Sequence, residues 1–218
     1  RGVRQFVCRS RGVADSWPAD SGAQFFVSLG NHDYRGNPQA QVEYSALFPQ
    51  WILPSFYYSF RLGTACFMAI DTNALNRTQM DWLDEQLSDS TCQFKIVFGH
   101  HPVQTSGEHN ATTDDVQRIL RPHLGAADAY LAGHDHNFSD EGNLLSDVNS
   151  TFSEDFRQFV VGTGGANVRP AACRTQECRF AIGTFGFMAI DINSAENSIN
   201  YTFFDVNLRP LYRASVPH

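Results

Sequence analysis

The sequence predicts an α/β fold in which parallel strands present polar residues at one edge of a sheet. Apolar, strand-like runs alternate with amphipathic helical segments through the middle of the chain, and a strand–helix–strand order favours parallel pairing. Three of these runs end in a glycine that is followed at once by asparagine or histidine. Loops at strand ends often carry function, because the sheet fixes their side chains while the loop exposes them.

The composition is that of a single globular domain. Of the 218 residues, 42% are hydrophobic and 18% are charged, which argues against wholesale disorder. We predict a poorly patterned lead-in over residues 1–22 and one domain over residues 23–218. The net charge of −7 argues against non-specific nucleic-acid binding. No apolar run approaches the roughly 18 residues that are needed to cross a bilayer.

The first predicted elements are a strand, a helix and a hairpin. Residues 25–29 form an apolar run typical of a strand, and residues 39–48 are predicted to form a short helix that the following proline ends. Residues 56–62 and 66–71 are rich in aromatic and β-branched side chains and are joined through a glycine, which predicts a hairpin. Asp71 ends the second of these strands, and we interpret it as an ordinary strand-end acid.

Two predicted helices flank the strand at residues 94–98. The first begins at a capping box formed by Thr78 and Asp81, and the second begins near residues 113–115. The first helix has apolar residues at the spacing of one helical face, which predicts packing against a sheet. These residues are Met80, Leu83 and Leu87. Residues 127–132 then return to the sheet.

The last third of the chain changes character. Residues 138–154 are polar and are predicted to form a loop, which leads into a short strand at 159–162. The glycine-rich segment 162–165 lacks the lysine of a phosphate-cradling loop and is predicted to be a tight turn near the site. Residues 185–192 and 198–205 alternate apolar and polar side chains, which predicts a terminal hairpin.

Polar blocks follow three of the strands and together contain five of the eight histidines. The blocks are Gly30-Asn-His-Asp33, Gly99-His-His101 and Gly133-His-Asp-His136. Each block alone is compatible with a turn of solvated residues. Three such blocks at neighbouring strand ends predict convergence on one ion. Imidazole with amide or carboxylate oxygen suits zinc, iron or manganese, and the scarcity of thiolates argues against a structural zinc site.

The three blocks, in this order, resemble the last three of five metal-binding blocks of the calcineurin-like metallophosphoesterases. The longer runs are similar to the purple acid phosphatases, in particular the small tartrate-resistant type. These runs are Gly30-Asn-His-Asp-Tyr-Arg-Gly-Asn37, Gly99-His-His-Pro-Val103 and Ala132-Gly-His-Asp-His-Asn137. The resemblance implies a four-layer α/β/β/α sandwich of two mixed sheets, lacking its N-terminal part. It also implies hydrolysis of phosphate monoesters by a metal-bound hydroxide.

The resemblance implies a dinuclear centre that contains Fe(III) together with Fe(II), zinc or manganese. Asn31, His100 and His134 would bind the divalent second metal, and His136 would bind the ferric first metal. The substrate would be a phosphate monoester, and no membrane span or nucleic-acid partner is expected.

The resemblance also assigns catalytic and supporting residues. His32 and His109 would stabilise the phosphate or protonate the leaving alkoxide, and an imidazole pKa of about 6.5 suits acidic operation. Asp33 would orient His32, and Asn137 would hold a neighbouring ligand loop. For His109, the alternative of a solvated loop residue stays open.

The sequence also departs from the family pattern upstream of Asn31. The family has an Asp-x-Gly block and a Gly-Asp-x-x-Tyr block there, and neither occurs in family form, since Asp15 and Asp20 lie too close to Asn31 to replace them. We therefore expect an incomplete centre and little activity from this polypeptide alone. Two alternatives are a phosphodiesterase or nucleotide pyrophosphatase of the same superfamily, and an inactive secreted glycoprotein that acts as a binding module.

Cysteines and glycosylation sequons favour a secreted or lysosomal/vacuolar protein. Cys173 and Cys178 are close enough in sequence to close a short disulfide loop, and none of the five cysteines has metal-ligand spacing. No signal peptide is visible in residues 1–22, as expected for a truncated N-terminus. Five Asn-x-Ser/Thr sequons are present, at Asn76, Asn110, Asn137, Asn149 and Asn200.

Overall fold

A computed structural model describes residues 5–6, 23–109, 114–144 and 155–217. Within these ranges the chain forms short strands with a few helices between them. The strands are β1 (Gln5–Phe6), β2 (Phe25–Val27), β3 (Trp51–Ile52), β4 (Tyr58–Leu62), β5 (Ala65–Ala69), β6 (Phe94–Phe98), β7 (Ala129–Ala132), β8 (Phe138–Gly142), β9 (Arg157–Val161), β10 (Phe180–Ile182), β11 (Gly186–Asn193), β12 (Ser198–Asp205) and β13 (Pro210–Pro217). The α-helices are α1 (Gln39–Leu47), α2 (Arg77–Leu87) and α3 (Asp114–Leu120).

The largest sheet has seven strands in the order β10-β8-β9-β7-β6-β5-β4. Strands β5, β6, β7 and β9 run parallel, and the other three pair antiparallel at its two sides. The register pairs Ala69 with Phe98 and Phe98 with Leu131, so the parallel strands end almost level with one another. The predicted parallel pairing is confirmed, and it places the residues after β5, β6, β7 and β9 along one edge.

Each face of the large sheet is covered by a different layer. Helices α2 and α3 cover one face, where Met80 and Leu83 of α2 belong to a buried cluster with Val97 and Tyr130. The other face packs on further strands, and Phe138 of β8 stacks on Phe203 of β12 at a centroid distance of 3.9 Å. Apolar burial between layers is the main force that holds such a sandwich together. The predicted α/β class is confirmed.

The second layer consists of two small sheets. Strands β11, β12 and β13 form an antiparallel sheet, while β2 pairs with β1 antiparallel and with β3 parallel. Tyr58 of the large sheet links it to the β1–β3 sheet, because its hydroxyl lies 2.9 Å from the carbonyl oxygens of both Val27 and Ile52. The second mixed sheet implied by the resemblance is thus divided in two within the described ranges. Helix α1 lies beside β3 and has no buried residue.

Three predicted elements differ from the structure. Residues 138–142 are not a loop but the buried strand β8, because its polar side chains are paired inside the protein. Residues 145–154 of that predicted loop lie outside the described residues. Helix α2 is capped by Asn76, whose side chain accepts a hydrogen bond from the Gln79 N–H at 3.0 Å, and not by Thr78. The predicted terminal hairpin exists, but β13 extends it to three strands.

Two disulfides close loops in the described chain. Cys173 and Cys178 are bonded, as predicted, and Cys66 is bonded to Cys92, a pairing that spacing alone did not indicate. The Cys66–Cys92 disulfide joins β5 to the segment that leads into β6. Among the described residues, each helix is too short or too polar to span a membrane.

We predict that Asn76→Ala lowers the free energy of unfolding by about 1 kcal/mol, because helix α2 loses its cap. Thr78→Ala is the matched control. It removes the same glycosylation sequon but keeps the cap, and its effect should stay within about 0.5 kcal/mol. Urea unfolding of both variants measures the difference. Equal effects of the two substitutions would contradict the assignment of the cap to Asn76.

Candidate metal centre and active site

The candidate site lies where the parallel strands end. His100 and His101 follow β6, and His134 follows β7, its neighbour in the sheet. Asn31 reaches the same place from the loop after β2, which belongs to the other layer. The site is therefore built from two layers of the sandwich.

Three predicted ligands converge closely. The Nε2 atom of His100 lies 3.0 Å from Oδ1 of Asn31 and 3.1 Å from Nδ1 of His134. His100 is 8% exposed, while the other two side chains are half-buried. His134 adopts a left-handed backbone conformation with φ of 64°, which is uncommon for a residue with a side chain. Backbone strain of this kind is concentrated at functional sites.

The donor set of these three side chains fits one divalent ion. Zinc binds imidazole nitrogen at about 2.0–2.1 Å, so two ligands of one ion lie about 3.0–3.4 Å apart. The 3.0 and 3.1 Å separations agree with that range. Neutral nitrogen and oxygen donors suit zinc, manganese or ferrous iron. Within the described ranges, the histidine cluster that could hold a metal contains no carboxylate.

His101 is the third histidine of that cluster, and the sequence did not single it out as a ligand. The ligand nitrogens of His100, His101 and His134 lie within 4.8 Å of one another. His101 Nδ1 is 2.8 Å from the hydroxyl of Thr72, which follows β5. Burial lowers the pKa of His101, because removal from water disfavours the charged imidazolium. The neutral ring can therefore serve as a metal ligand or as a hydrogen-bonding group. The second histidine of the Gly99-His-His101 block was the feature of the sequence that could have indicated this residue.

His136 lies outside this cluster. It is half-buried, and its Nδ1 is 2.8 Å from the carbonyl oxygen of Asn167. A carbonyl only accepts, so Nδ1 carries the proton, and Nε2 is the nitrogen whose lone pair could bind a metal. Histidine ligands of metals commonly donate their other ring N–H in this way. The geometry suits a ligand on a different ion, and that role stays a prediction.

The remaining predicted residues are spread around the cluster. His32 is exposed in the loop beside Asn31. Asp33 accepts a hydrogen bond from the Gly30 N–H at 2.8 Å, and so closes its own turn. Asn137 is buried, and its backbone carbonyl accepts from the Gly162 N–H at 3.0 Å, which ties the loop after β9 to the end of the third block. Its burial leaves no room for a glycan.

Asp135 is a central residue of the site that the sequence pattern did not indicate. Its Oδ1 accepts from His109 Nδ1 at 2.6 Å and from the backbone N–H groups of Glu108 and His109, and its Oδ2 accepts from the Thr105 hydroxyl. Burial raises the pKa of Asp135, but hydrogen bonds from Thr105 and His109 outweigh burial and hold the pKa below its usual value. Because a carboxylate only accepts, His109 donates from Nδ1.

Asp135 therefore fixes the orientation of His109. The His109 ring packs against His134 at a centroid distance of 4.6 Å, so it lies beside the cluster rather than in open solvent. The structure thus places His109 beside the cluster, and its catalytic role stays a prediction.

Asp71 holds the Asn31 loop to β5. The Tyr34 hydroxyl donates to Oδ2 of Asp71, and Oδ1 accepts from the Asn73 N–H at 3.0 Å. Burial, together with the bond to Asp71, raises the pKa of Tyr34, so the phenol stays protonated. Asp71 itself follows β5 and is buried. Its role is to connect the loops that follow β2 and β5.

Comparison with known proteins defines the class. A family model described as calcineurin-like phosphoesterase matches residues 8–138, and the chain belongs to this family. It is 31% identical to tartrate-resistant acid phosphatase type 5 of Rattus norvegicus, over 88% of this chain and 66% of that protein. It is 29% identical to purple acid phosphatase 3 of Arabidopsis thaliana, over 84% of this chain and 55% of that protein. The resemblance inferred from the three blocks is confirmed.

Solved structures support the fold. The chain is similar to GAP50, described as the anchor in the inner membrane complex of Plasmodium, with a TM-score of 0.72 and 23% identity, over 87% of this chain and 64% of that one. PhoD has a TM-score of 0.51 at 13% identity, over 74% of this chain and 40% of that chain. The chain spans about two thirds of the length of its animal relatives and less of the plant one.

The loop that carries His109 also depends on a glycine. A Cβ atom on Gly107 would lie 2.3 Å from the carboxyl carbon of Asp135, so a side chain here must displace the loop. We predict that Gly107→Ala destabilises the protein by about 1–3 kcal/mol and moves His109 away from Asp135. NMR of the histidine side chains, with urea unfolding, measures both effects.

Gly164→Ala is the control for this prediction, because a Cβ there meets nothing within 4 Å. It should leave stability and the His109 signal unchanged. An unshifted His109 signal in Gly107→Ala would show that the loop is not held as described.

A buried carboxylate secures the start of the same loop. Glu141 of β8 accepts from the Ser106 N–H and the Ser139 hydroxyl, both at 2.6 Å, and from the Ser106 hydroxyl at 3.0 Å. Burial raises the pKa of Glu141, and the hydrogen bonds only partly oppose this. The folded protein therefore binds a proton at Glu141 more readily than the unfolded chain does.

We predict that the stability of the wild-type protein relative to Glu141→Gln falls as the pH rises. A carboxyl group whose pKa is raised by folding stabilises the protein fully below its pKa in the unfolded chain, which is 4.5. This stabilisation is lost as the pH rises through the higher pKa of the folded protein. Urea unfolding of both proteins across this interval measures the trend. Asp115→Asn on the exposed surface of α3 is the control, and a difference that does not vary with pH would contradict the prediction.

Proposed function

We propose that this chain forms the histidine-rich part of an acid-phosphatase-like phosphomonoesterase. The observation that carries the proposal is the convergence of Asn31, His100 and His134, with donor atoms 3.0 and 3.1 Å apart, at the shared end of the strands. The chain belongs to a phosphoesterase family, and relatives carry the names of tartrate-resistant and purple acid phosphatases. Substrate and reaction are proposed from that relationship.

In this proposal Asn31, His100 and His134 hold a divalent ion, which is zinc, manganese or ferrous iron. His136 contributes Nε2 to a ferric partner, since its Nδ1 is directed to the Asn167 carbonyl. When bound, a dinuclear centre neutralises phosphoryl oxygens and activates water. Asn31 contributes an uncharged oxygen, so the positive charge of the ion stays available to an anionic substrate.

The residues around the ions have separate proposed tasks. Asp135 holds the Nδ1–H of His109 and fixes the ring, so His109 acts through Nε2. His109 protonates the leaving alkoxide from this atom once Nε2 carries a proton and Arg169 Nη1, which donates to it at 3.4 Å in the structure, has moved away. His32, exposed next to Asn31, binds the phosphoryl oxygens. Asp33 accepts a hydrogen bond from the Gly30 N–H and so closes the turn that carries Asn31 and His32. The backbone carbonyl of Asn137 accepts from the Gly162 N–H and so holds the loop after β9 beside the third block.

We further propose that the centre of this polypeptide is partial. The family pattern supplies carboxylates and a tyrosinate from blocks that do not occur in family form before Asn31. Without a bridging carboxylate, the repulsion between two cations is less well compensated. The expected behaviour is binding of one divalent ion and slow hydrolysis.

A second candidate function is an interaction module that keeps the fold without turnover. In this candidate the three neutral side chains of the histidine site would hold an ion for structural reasons, since the cluster in the described chain contains no carboxylate. A similar fold occurs in GAP50, which is described as an anchor. Complete absence of hydrolysis would select this candidate.

We also propose that the protein is a secreted or lysosomal/vacuolar glycoprotein. The Cys66–Cys92 and Cys173–Cys178 disulfides suit an oxidising compartment. Asn76 offers an exposed sequon, whereas the sequon at Asn137 is buried. Mass spectrometry of the protein from its native source tests this proposal.

The decisive experiment measures zinc binding and the hydrolysis of p-nitrophenyl phosphate at about pH 5. We expect the chain to bind one zinc ion, and His100→Ala to weaken binding at least about tenfold through the loss of one imidazole ligand. His123→Ala is the matched control, since His123 pairs with Asp84 on the helical side. Hydrolysis should be slow and should disappear together with zinc binding.

Two outcomes would contradict the proposal. Zinc binding that is unchanged in His100→Ala would place the metal elsewhere. Faster hydrolysis of bis(p-nitrophenyl) phosphate than of the monoester would replace the phosphomonoesterase by a phosphodiesterase.

A further inference from the structure

The loop after β9 brings an arginine to the edge of the histidine site. The backbone N–H of Arg169 donates to the carbonyl oxygen of His136 at 2.9 Å, and the Asn167 carbonyl accepts from His136 Nδ1 at 2.8 Å. Two hydrogen bonds therefore fix this segment to the third histidine block. The backbone at Arg169 is therefore positioned by its contacts with His136 at the site.

The guanidinium of Arg169 reaches over the His109 loop. Its Nη1 lies 2.9 Å from Oε2 of Glu108 and 3.4 Å from Nε2 of His109. The side chains of Arg169 and Glu108 are 39% and 51% exposed, so their ion pair is in contact with solvent. Exposed ion pairs of this kind contribute little to stability and exchange readily with other ions.

In this ion pair Arg169 acts as an anion-binding group, and the anion that it binds is the carboxylate of Glu108 from the same chain. A guanidinium offers five N–H donors in a planar fork that matches the oxygens of carboxylate and phosphate alike. Among the described residues, both contacts given above use Nη1, and the same fork also carries N–H donors on Nε and Nη2 that an oxyanion could use. Glu108 presents to Arg169 the same kind of oxygen that a phosphate group would present.

We propose that Arg169 is a specificity-determining residue that binds a phosphate oxygen of the substrate, and that Glu108 competes with the substrate for it. This inference rests on the proposed phosphoesterase function, because it takes the His109 side of the site as the place where the phosphate group lies. The resting protein holds Arg169 through Glu108. An entering phosphate takes over the guanidinium, and Glu108 turns to solvent.

The proposal predicts opposite effects for the two partners of one ion pair. Arg169→Met removes a donor to phosphate and should weaken its binding about tenfold, as expected for the loss of a charge-assisted hydrogen bond. Glu108→Gln removes the competitor and should strengthen binding about threefold. If the ion pair only stabilised the loop, both substitutions would weaken phosphate binding or leave it unchanged.

The experiment is titration of the zinc-treated 218-residue chain with inorganic phosphate, followed by calorimetry. The proteins compared are the wild type, Arg169→Met, Glu108→Gln and the control Arg118→Met, which breaks an ion pair with Asp115 of similar length on α3. Phosphate affinity should fall in the first variant, rise in the second and stay within about twofold of wild type in the control.

Weaker binding by Glu108→Gln, or unchanged binding by Arg169→Met, would overturn the inference, as would a wild-type chain that does not bind phosphate. Failure of the proposed function is separately visible. If the phosphate affinities follow the expected order but no ester is hydrolysed, the role of Arg169 in phosphate binding stands and the proposed phosphatase function is rejected. If the chain hydrolyses the monoester but both variants bind phosphate as tightly as the wild type, the phosphatase function stands and only the proposed role of Arg169 is rejected.

Discussion

The geometry of the site depends on one buried carboxylate. Asp135 stands between the two histidines of the third block, and its oxygens accept four hydrogen bonds from Thr105, Glu108 and His109. A buried charge of this kind is stable only when it is well paired. The loop after β6 must therefore fold back on the loop after β7. The same bonds place His109 next to His134 and bring Glu108 within reach of Arg169.

The fold could be predicted where the signal is local. Residues 94–98 and their glycine-histidine ending are adjacent in sequence, so strand, turn and ligand were predicted together. The hairpin of β4 and β5 was predicted for the same reason. The parallel pairing of β6 and β7 then explains why His100 and His134 meet. Asn31, 103 positions before His134, joins them from the loop after β2 in the other layer, which strand order within one sheet does not predict.

What the sequence did not indicate depends on contacts between distant residues. Asp135 resembles any polar residue between two histidines, and its role appears only when Thr105 and His109 lie against it. Strand β8 resembles a loop because Ser139, Asp140 and Glu141 are polar, yet each finds a buried partner. The cap of α2 was misplaced by two residues, because Asn76 and Thr78 are both good capping residues.

The two-layer origin of the ligands links metal binding to the stacking of the sheets. Asn31 is carried by the β1–β3 sheet and His100 by the large sheet, and Tyr58 is one direct hydrogen-bonded link between them. An ion held by both residues would be a further link across the same boundary. Sliding of one layer over the other would then require release of the ion, so metal affinity becomes a measure of how firmly the layers are held in register.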